Sequence, residues 1–303
     1  MPRKTKYLIV GQGLAGTALS IRMWQRGIDH LVIDQSGLSS SSKIAAGLIN
    51  PIVLKRLSLV ADADIFLKEM RIFYDQFEKE FGVQALFNTS LMHIFNDTAE
   101  VNHWQEKMGD DRYSRHLGEP LENYYAEIKA KYGLGPVKTA SWLNTRVFLS
   151  TYRDFLYSNN RIINGKVERN DENDIQALNI EAENVILCNG YLIRSLMPDT
   201  NSFFQPTKGE VLTLRCEDLP ENVILHKKIF ILPLGDKLFK VGSTYSWKAL
   251  DENFSEEAKQ ELLDSFESMY SGSYEVVNHE AGIRPNIKDR KPVLGKYRDT
   301  YIF

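Results

Sequence analysis

Tyr7-Leu8-Ile9-Val10-Gly11-Gln12-Gly13-Leu14-Ala15-Gly16 is the stretch from which the fold is read. Four apolar residues make a buried strand, and the glycine-spaced run behind them makes a turn into a helix. Gly11 permits the tight turn, Gly13 admits a pyrophosphate close to the backbone, and Gly16 lets the helix lie on the strand. The helix N-terminus then faces the phosphates. The motif gains weight from the next apolar run, Leu31-Val32-Ile33, which ends on Asp34 at the spacing where an acid bonds an adenosine ribose hydroxyl. An acid there repels a 2′-phosphate, so the pair predicts a nucleotide cofactor other than NADP.

Working outward, 303 residues with 43% hydrophobic and 25% charged side chains fit one large or two medium globular domains. The net charge of -3 does not provide the basic surface of a nonspecific nucleic-acid binder. No apolar run approaches the roughly 20 residues of a membrane span, and Met1 to Lys6 lead straight into a strand rather than a signal-peptide core. The expected location is cytoplasmic. Cys188 and Cys216 stand in apolar, strand-like contexts and are expected as two buried thiols. The six histidines show no paired spacing and have no cysteine companions, so no metal site is predicted. Absence of a Gly-x-Ser-x-Gly elbow removes the usual cue for a serine hydrolase.

Phe66, Met70, Phe73, Phe77 and Phe81 recur at three- and four-residue steps within 61–81 and predict an amphipathic helix with that stripe in the core. A strand is expected over 91–95, a helix over 99–108, irregular structure over 109–135 and a helix over 144–158. Val185-Ile186-Leu187-Cys188 reads as a buried parallel strand. Short strands follow at 211–214, 229–232 and 238–241, the last two joined through Leu234-Gly235-Asp236-Lys237 as a hairpin. Ser255 is placed as the cap of a helix reaching about Tyr270, with Ala258, Leu262, Phe266 and Met269 on its buried side. The parallel pattern is interrupted twice, which predicts two domains interleaved in sequence.

Four further segments occur in order: Ser41-Ser42-Lys43-Ile44-Ala45-Ala46-Gly47-Leu48-Ile49-Asn50-Pro51, Leu187-Cys188-Asn189-Gly190, Val241-Gly242-Ser243-Thr244-Tyr245, and the run from Ala281-Gly282-Ile283-Arg284-Pro285 through Asp289 to Pro292-Val293-Leu294-Gly295. With these the chain resembles the FAD-dependent D-amino acid oxidase and glycine oxidase family from its first strand to its last residue. The resemblance implies an α/β fold in which a Rossmann-like FAD-binding domain (1–85, 140–205 and 275–303) is interleaved with an α+β, antiparallel-sheet substrate domain (86–139 and 206–274).

It also implies roles. Gly11, Gly13, Leu14, Ala15 and Gly16 lie along the FAD pyrophosphate, Asp34 and Gln35 at the adenosine ribose, and Ser41 and Ser42 at the diphosphate. Ala46, Gly47 and Leu48 lie beside the isoalloxazine ring. Val167, in an expected strand Asn164-Gly165-Lys166-Val167, contacts adenine through its backbone, and Asn189-Gly190 marks a second passage of the chain by the cofactor. Arg284 clamps a substrate carboxylate with two parallel charge-assisted hydrogen bonds, and Phe230, Tyr245 and Asn50 are candidates for the substrate pocket. The implied reaction is oxidation of a C–N bond in a small amine or amino acid by hydride transfer to flavin N5. The imine is then hydrolysed, and oxygen is the expected electron acceptor.

Some features depart from the family pattern. Phe230 stands where glycine oxidase carries a substrate-binding tyrosine, so specificity is expected to differ. The cysteine that sarcosine oxidases use for covalent attachment is missing, which implies noncovalent FAD. The family also continues past the position of Phe303 into a glycine-rich loop and helix that hold the flavin's pyrimidine edge. The chain is therefore expected to be a fragment that binds FAD weakly. Two alternative functions remain open at this point: action on a carboxymethylaminomethyl group of tRNA wobble uridine, against which the acidic net charge argues, and a catalytically silent interaction module that keeps the fold.

Overall fold

The structure is a computed structural model that describes residues 2–35, 40–169, 175–177, 179–197, 203–248, 250–289, 291–297 and 300–303. Arg290, within the last sequence motif, lies outside the described residues. Arg3–Val10 is the central strand of the parallel part of a mixed sheet, in which Val167–Arg169, Ile175–Ala177 and Gly295–Tyr297 pair antiparallel. His30–Asp34 and then Ile162–Asn164 lie on one side of it, Ile180–Leu187 and then Thr300–Ile302 on the other. The chain reverses direction across the sheet between Arg3–Val10 and Ile180–Leu187, and in such sheets ligands bind at the carboxyl ends of the strands at that switch point. Gly11 and the segment Cys188-Asn189-Gly190 stand there. Helices Leu14–Gln25, Ala63–Phe81 and Thr145–Ser158 cover one face through Ile9, Ile21, Phe77, Phe148 and Tyr152. On the other face Leu8, Val10, Leu31 and Ile33 pack with Val167 and Leu187.

A second sheet runs in the order Glu275–Arg284, Thr207–Arg215, Leu238–Gly242, Phe230–Gly235, Ile224–His226, Leu91–Ile94, Leu134–Val137. It is antiparallel except where Ile224–His226 meets Leu91–Ile94. Helix Glu256–Glu267 closes one face, burying Leu262 and Phe266 against Leu212, Leu214, Phe239 and Val241. Ser255 Oγ caps that helix by accepting from Ala258 N–H at 3.2 Å. A small sheet of Leu48–Ile49, Ser141–Leu143 and Leu86–Asn88 stands between the two larger ones. No helix among the described residues is long and apolar enough to cross a membrane.

Three expectations change. Phe66 is 58% exposed, because only the C-terminal part of Ala63–Phe81 packs on Thr145–Ser158, through the Phe77–Phe148 and Phe81–Tyr152 ring contacts. Asn164 and Val167 belong to different strands, Ile162–Asn164 and Val167–Arg169; the chain turns at Gly165, whose N–H donates to Asp34 O. The hairpin turn is shorter than the run Leu234 to Lys237. Strand Phe230–Gly235 includes Gly235, and Asp236 and Lys237, at φ 52° and 60°, make the bend, the two left-handed residues that match strand twist.

Candidate functional site

The site is built at the ends of the parallel strands. Gly11 adopts φ +99°, and a Cβ on it would lie 2.7 Å from Cys188 O. A Cβ on Gly16 would lie 2.0 Å from Gly11 O. Both glycines are therefore required by backbone approach, and they bring Leu14–Gln25 against the strand–turn junction. Gly13 is the helix N-cap and offers no side chain to cap it. Instead Ser42 Oγ reaches across to accept from Leu14 N–H at 3.1 Å, and the first-turn N–H groups of Ala15 and Gly16 have no intrahelical acceptor. No acid occupies that first turn. Ser42→Ala is expected to cost about 1 kcal/mol, read as a lower urea midpoint of the FAD-free protein. An unchanged midpoint would mean that solvent serves Leu14 equally well.

Asp34 ends its strand with its carboxylate turned back over the glycine turn. Oδ1 accepts from Gln12 N–H at 3.0 Å, and Oδ2 pairs with Arg153 Nη1 at 2.6 Å. Arg153 also donates to Gln12 Oε1 at 2.8 Å, while Gln12 Nε2 donates to Thr17 Oγ1 and Leu149 O. Gln35 beside Asp34 is exposed, and Val167 is buried. Asn189 Oδ1 is buried with no partner among the described residues. Gly190, at φ +59°, follows it. Cys188 packs against the position where a Gly16 Cβ would fall, and burial pushes its thiol up to about 12, keeping it protonated.

The segment leaving this turn faces the antiparallel sheet. Gly282 lies against helix Ser41–Ile44, a Cβ there falling 3.4 Å from Ser41 Cα. Gly47, at φ +71°, sits so close to Leu143 that a Cβ would be 1.9 Å from its carbonyl oxygen. Ala46, Leu48 and Phe230 pack on one apolar cluster with Leu232 and Trp142. Asn50 uses its side chain locally, Oδ1 accepting from Ile52 N–H at 2.9 Å.

Arg284, at the end of its strand, lies over Gly209. Nη2 donates to Ser243 Oγ at 2.6 Å, and both terminal nitrogens reach Thr244 O at 3.3 Å. The guanidinium stands 4.2 Å from the centroid of the Tyr245 ring. Burial draws its pKa below the ordinary arginine value, opposed by Tyr245.

Three features had no motif to announce them. Arg153 is one polar residue on an amphipathic helix. Gly209 clears room for Arg284, since a Cβ there would be 2.1 Å from Nη2; a lone glycine inside a strand was the available signal. Lys240 is buried, donates to Ile44 O at 2.9 Å and faces Glu280 at 3.6 Å, while Glu280 also pairs with Arg146. Burial lowers the Lys240 pKa, and Glu280 works against it.

A glycine cradle at the switch point of a parallel sheet, facing an antiparallel sheet that presents a half-buried arginine, defines a nucleotide-cofactor enzyme of two-sheet architecture. Three solved structures share the fold. Glycine oxidase from Geobacillus kaustophilus matches with a TM-score of 0.80 at 17% identity over 99% of this chain and 88% of its own. Iminodiacetate oxidase from Chelativorans sp. BNC1 matches with 0.82 at 15% over 98% and 89%. L-alpha-glycerophosphate oxidase from Mycoplasma pneumoniae, with FAD bound, matches with 0.75 at 12% over 99% and 89%. Residues 6–303 match the FAD dependent oxidoreductase family, and the chain belongs to it.

The residues present fit that cofactor. Gly11 closes the turn tightly against Cys188, Ala15 and Gly16 present first-turn N–H groups with no intrahelical acceptor, and among the described residues none partners the buried Asn189 Oδ1 beside that turn.

Proposed function

We propose that this chain oxidises the C–N bond of a small carboxylated amine or amino acid, with Arg284 holding the carboxylate. The observation carrying this reading is the position of Arg284. Its guanidinium is oriented by Ser243 and Thr244 on the sheet face that meets Ser41–Ile44. In this reading Gly11 to Gly16, Asp34, Gln35, Ser41, Ser42, Val167, Asn189 and Gly190 hold the cofactor. Residues 1–85, 140–205 and 275–303 form the FAD-binding domain, and 86–139 and 206–274 the substrate domain. Bound FAD supplies a two-electron acceptor.

The chain's own contribution is placement. Arg284 fixes one end of the substrate so that the carbon bearing the amine is presented in a single orientation. Phe230, Ala46 and Leu48 provide an apolar wall that excludes water from that carbon. The substrate gives up a hydride from carbon and a proton from nitrogen, and water adds to the resulting imine to release a carbonyl compound and the amine. Oxygen takes the two electrons and two protons, leaving hydrogen peroxide. The proposed location is the cytoplasm.

The test is peroxide and carbonyl release by the FAD-loaded protein across N-substituted glycines and D-amino acids. Turnover is expected with carboxylated members, in one-to-one yield of peroxide and carbonyl product. Absence of turnover across the panel would overturn the reading.

A further inference from the structure

Beyond Arg284 the same sheet face carries two aromatic rings that the reaction above leaves without a task. Lys208 and Ser246 exchange two backbone hydrogen bonds of 2.9 Å, and Thr244 N–H donates to Glu210 O. The segment 244–246 thus runs beside Thr207–Arg215, and the chain bends at Trp247. Lys208 and Glu210 turn toward the helix side: the Glu210 carboxylate accepts from Ser255 N–H and Oγ and lies 2.9 Å from His279 Nε2. Gly209, between them, turns the other way, toward Arg284. Ser246 pairs with Lys208, so alternation puts Tyr245 on the Arg284 side. The Tyr245 ring meets the guanidinium at 4.2 Å, and the Trp247 ring lies beside Tyr245 with 6.4 Å between centroids. They are 58% and 67% exposed.

A cation stacked on one exposed aromatic ring, with a second exposed ring beside that one, matches a ligand with a carboxylate at one end and a flat ring at the other. The cation sets the polar end, while indole and phenol faces stack on planar π systems. We infer that Tyr245 and Trp247 form a stacking subsite, so that the substrate is a carboxylated amine carrying a flat unsaturated ring. The inference rests on Arg284 as the carboxylate clamp. Glycine, sarcosine and other small substrates without a ring then use only half of the available surface.

Equilibrium binding tests this without requiring turnover. Acetate and phenylacetate are titrated into the FAD-loaded protein and followed by flavin absorbance and by calorimetry. Phenylacetate is expected to bind about tenfold tighter than acetate. Trp247→Ala should abolish most of that advantage while leaving acetate unchanged, and Trp247→Phe should restore it. Arg284→Met should weaken both ligands alike. No ring advantage in the parent protein, including no detectable phenylacetate binding, overturns the subsite, as does an advantage that survives Trp247→Ala. If the ring advantage holds and responds to Trp247→Ala while Arg284→Met changes neither ligand, the carboxylate assignment falls and the stacking surface stands.

Discussion

Arg284→Met is expected to raise the KM for a carboxylated amine about a hundredfold while leaving FAD bound. The guanidinium is held on three sides, by Ser243 Oγ, Thr244 O and the Tyr245 ring, so its plane is oriented before any ligand arrives. Losing a two-pronged, charge-assisted contact of about 3 kcal/mol corresponds to roughly two orders of magnitude in KM or in kcat/KM. Methionine retains most of the side-chain volume above Gly209, which limits collapse of the surrounding strands. Arg284→Lys keeps the charge without the planar fork and should fall between parent and Met variant. Steady-state kinetics on a carboxylated amine and on its uncarboxylated counterpart separate binding from architecture: only the first should suffer. Equal loss for both would mean that Arg284 supports the sheet rather than the carboxylate.

The second large effect lies at the other end of the site. Asp34→Ala should weaken FAD by about 1.5 to 3 kcal/mol, the worth of a hydrogen bond to a charged group. It should also lower the stability of the FAD-free protein, because it removes the carboxylate that Arg153 pairs with. The two side chains are 18% and 20% exposed and meet at 2.6 Å. Breaking a fully buried pair from one side costs about 3 to 5 kcal/mol; exposure of about a fifth of each partner reduces that to roughly 2. Arg153→Met should show the converse pattern. Stability falls by a similar amount, and FAD is held less tightly because Asp34 and Gln12 lose the group that fixes both. FAD retention on gel filtration, with urea unfolding of the cofactor-free proteins, distinguishes the two contributions. FAD held by Asp34→Ala as tightly as by the parent would remove Asp34 from the ribose.

Much of this was legible because glycine and strand patterns are local. Gly11 and Gly16 are required by atoms a few residues away or on the adjoining strand, so the turn could be read from its own spacing. Asp34 could be read as an acid at a strand end, but the arginine that answers it comes from a helix more than a hundred residues later, with no period or motif to pair them. Phe66 shows the opposite failure. Its three- and four-residue stripe correctly predicts the helix but cannot say how far the neighbouring helix extends to cover it. Lys240 and Glu280 could not have been joined at all, since two charges on strand-like segments read as solvent-facing until the sheet order brings Ser41–Ile44 across them. The Asp236-Lys237 bend was obscured by Gly235, which drew the start of the expected turn two residues early.

The strand register carries a consequence for how the polypeptide reaches this shape. Tyr7 pairs in parallel with Asn184, and Val185 in turn pairs with Thr300. On one side the central strand meets its partner early, in His30–Asp34, but on the other it must wait for Ile180–Leu187. At about 5 to 20 residues per second, the first strand leaves the ribosome roughly ten to thirty-five seconds before the partner it needs has been made. Closing so long a loop costs on the order of 5 kcal/mol of chain entropy, regained only when the partner docks. During that interval the apolar edge of Tyr7-Leu8-Ile9-Val10 is open to other chains, and the glycine turn has no Cys188-Asn189 backbone to close on. The cofactor cradle is therefore a late product of synthesis, completed only once Cys188 and Asn189 have emerged.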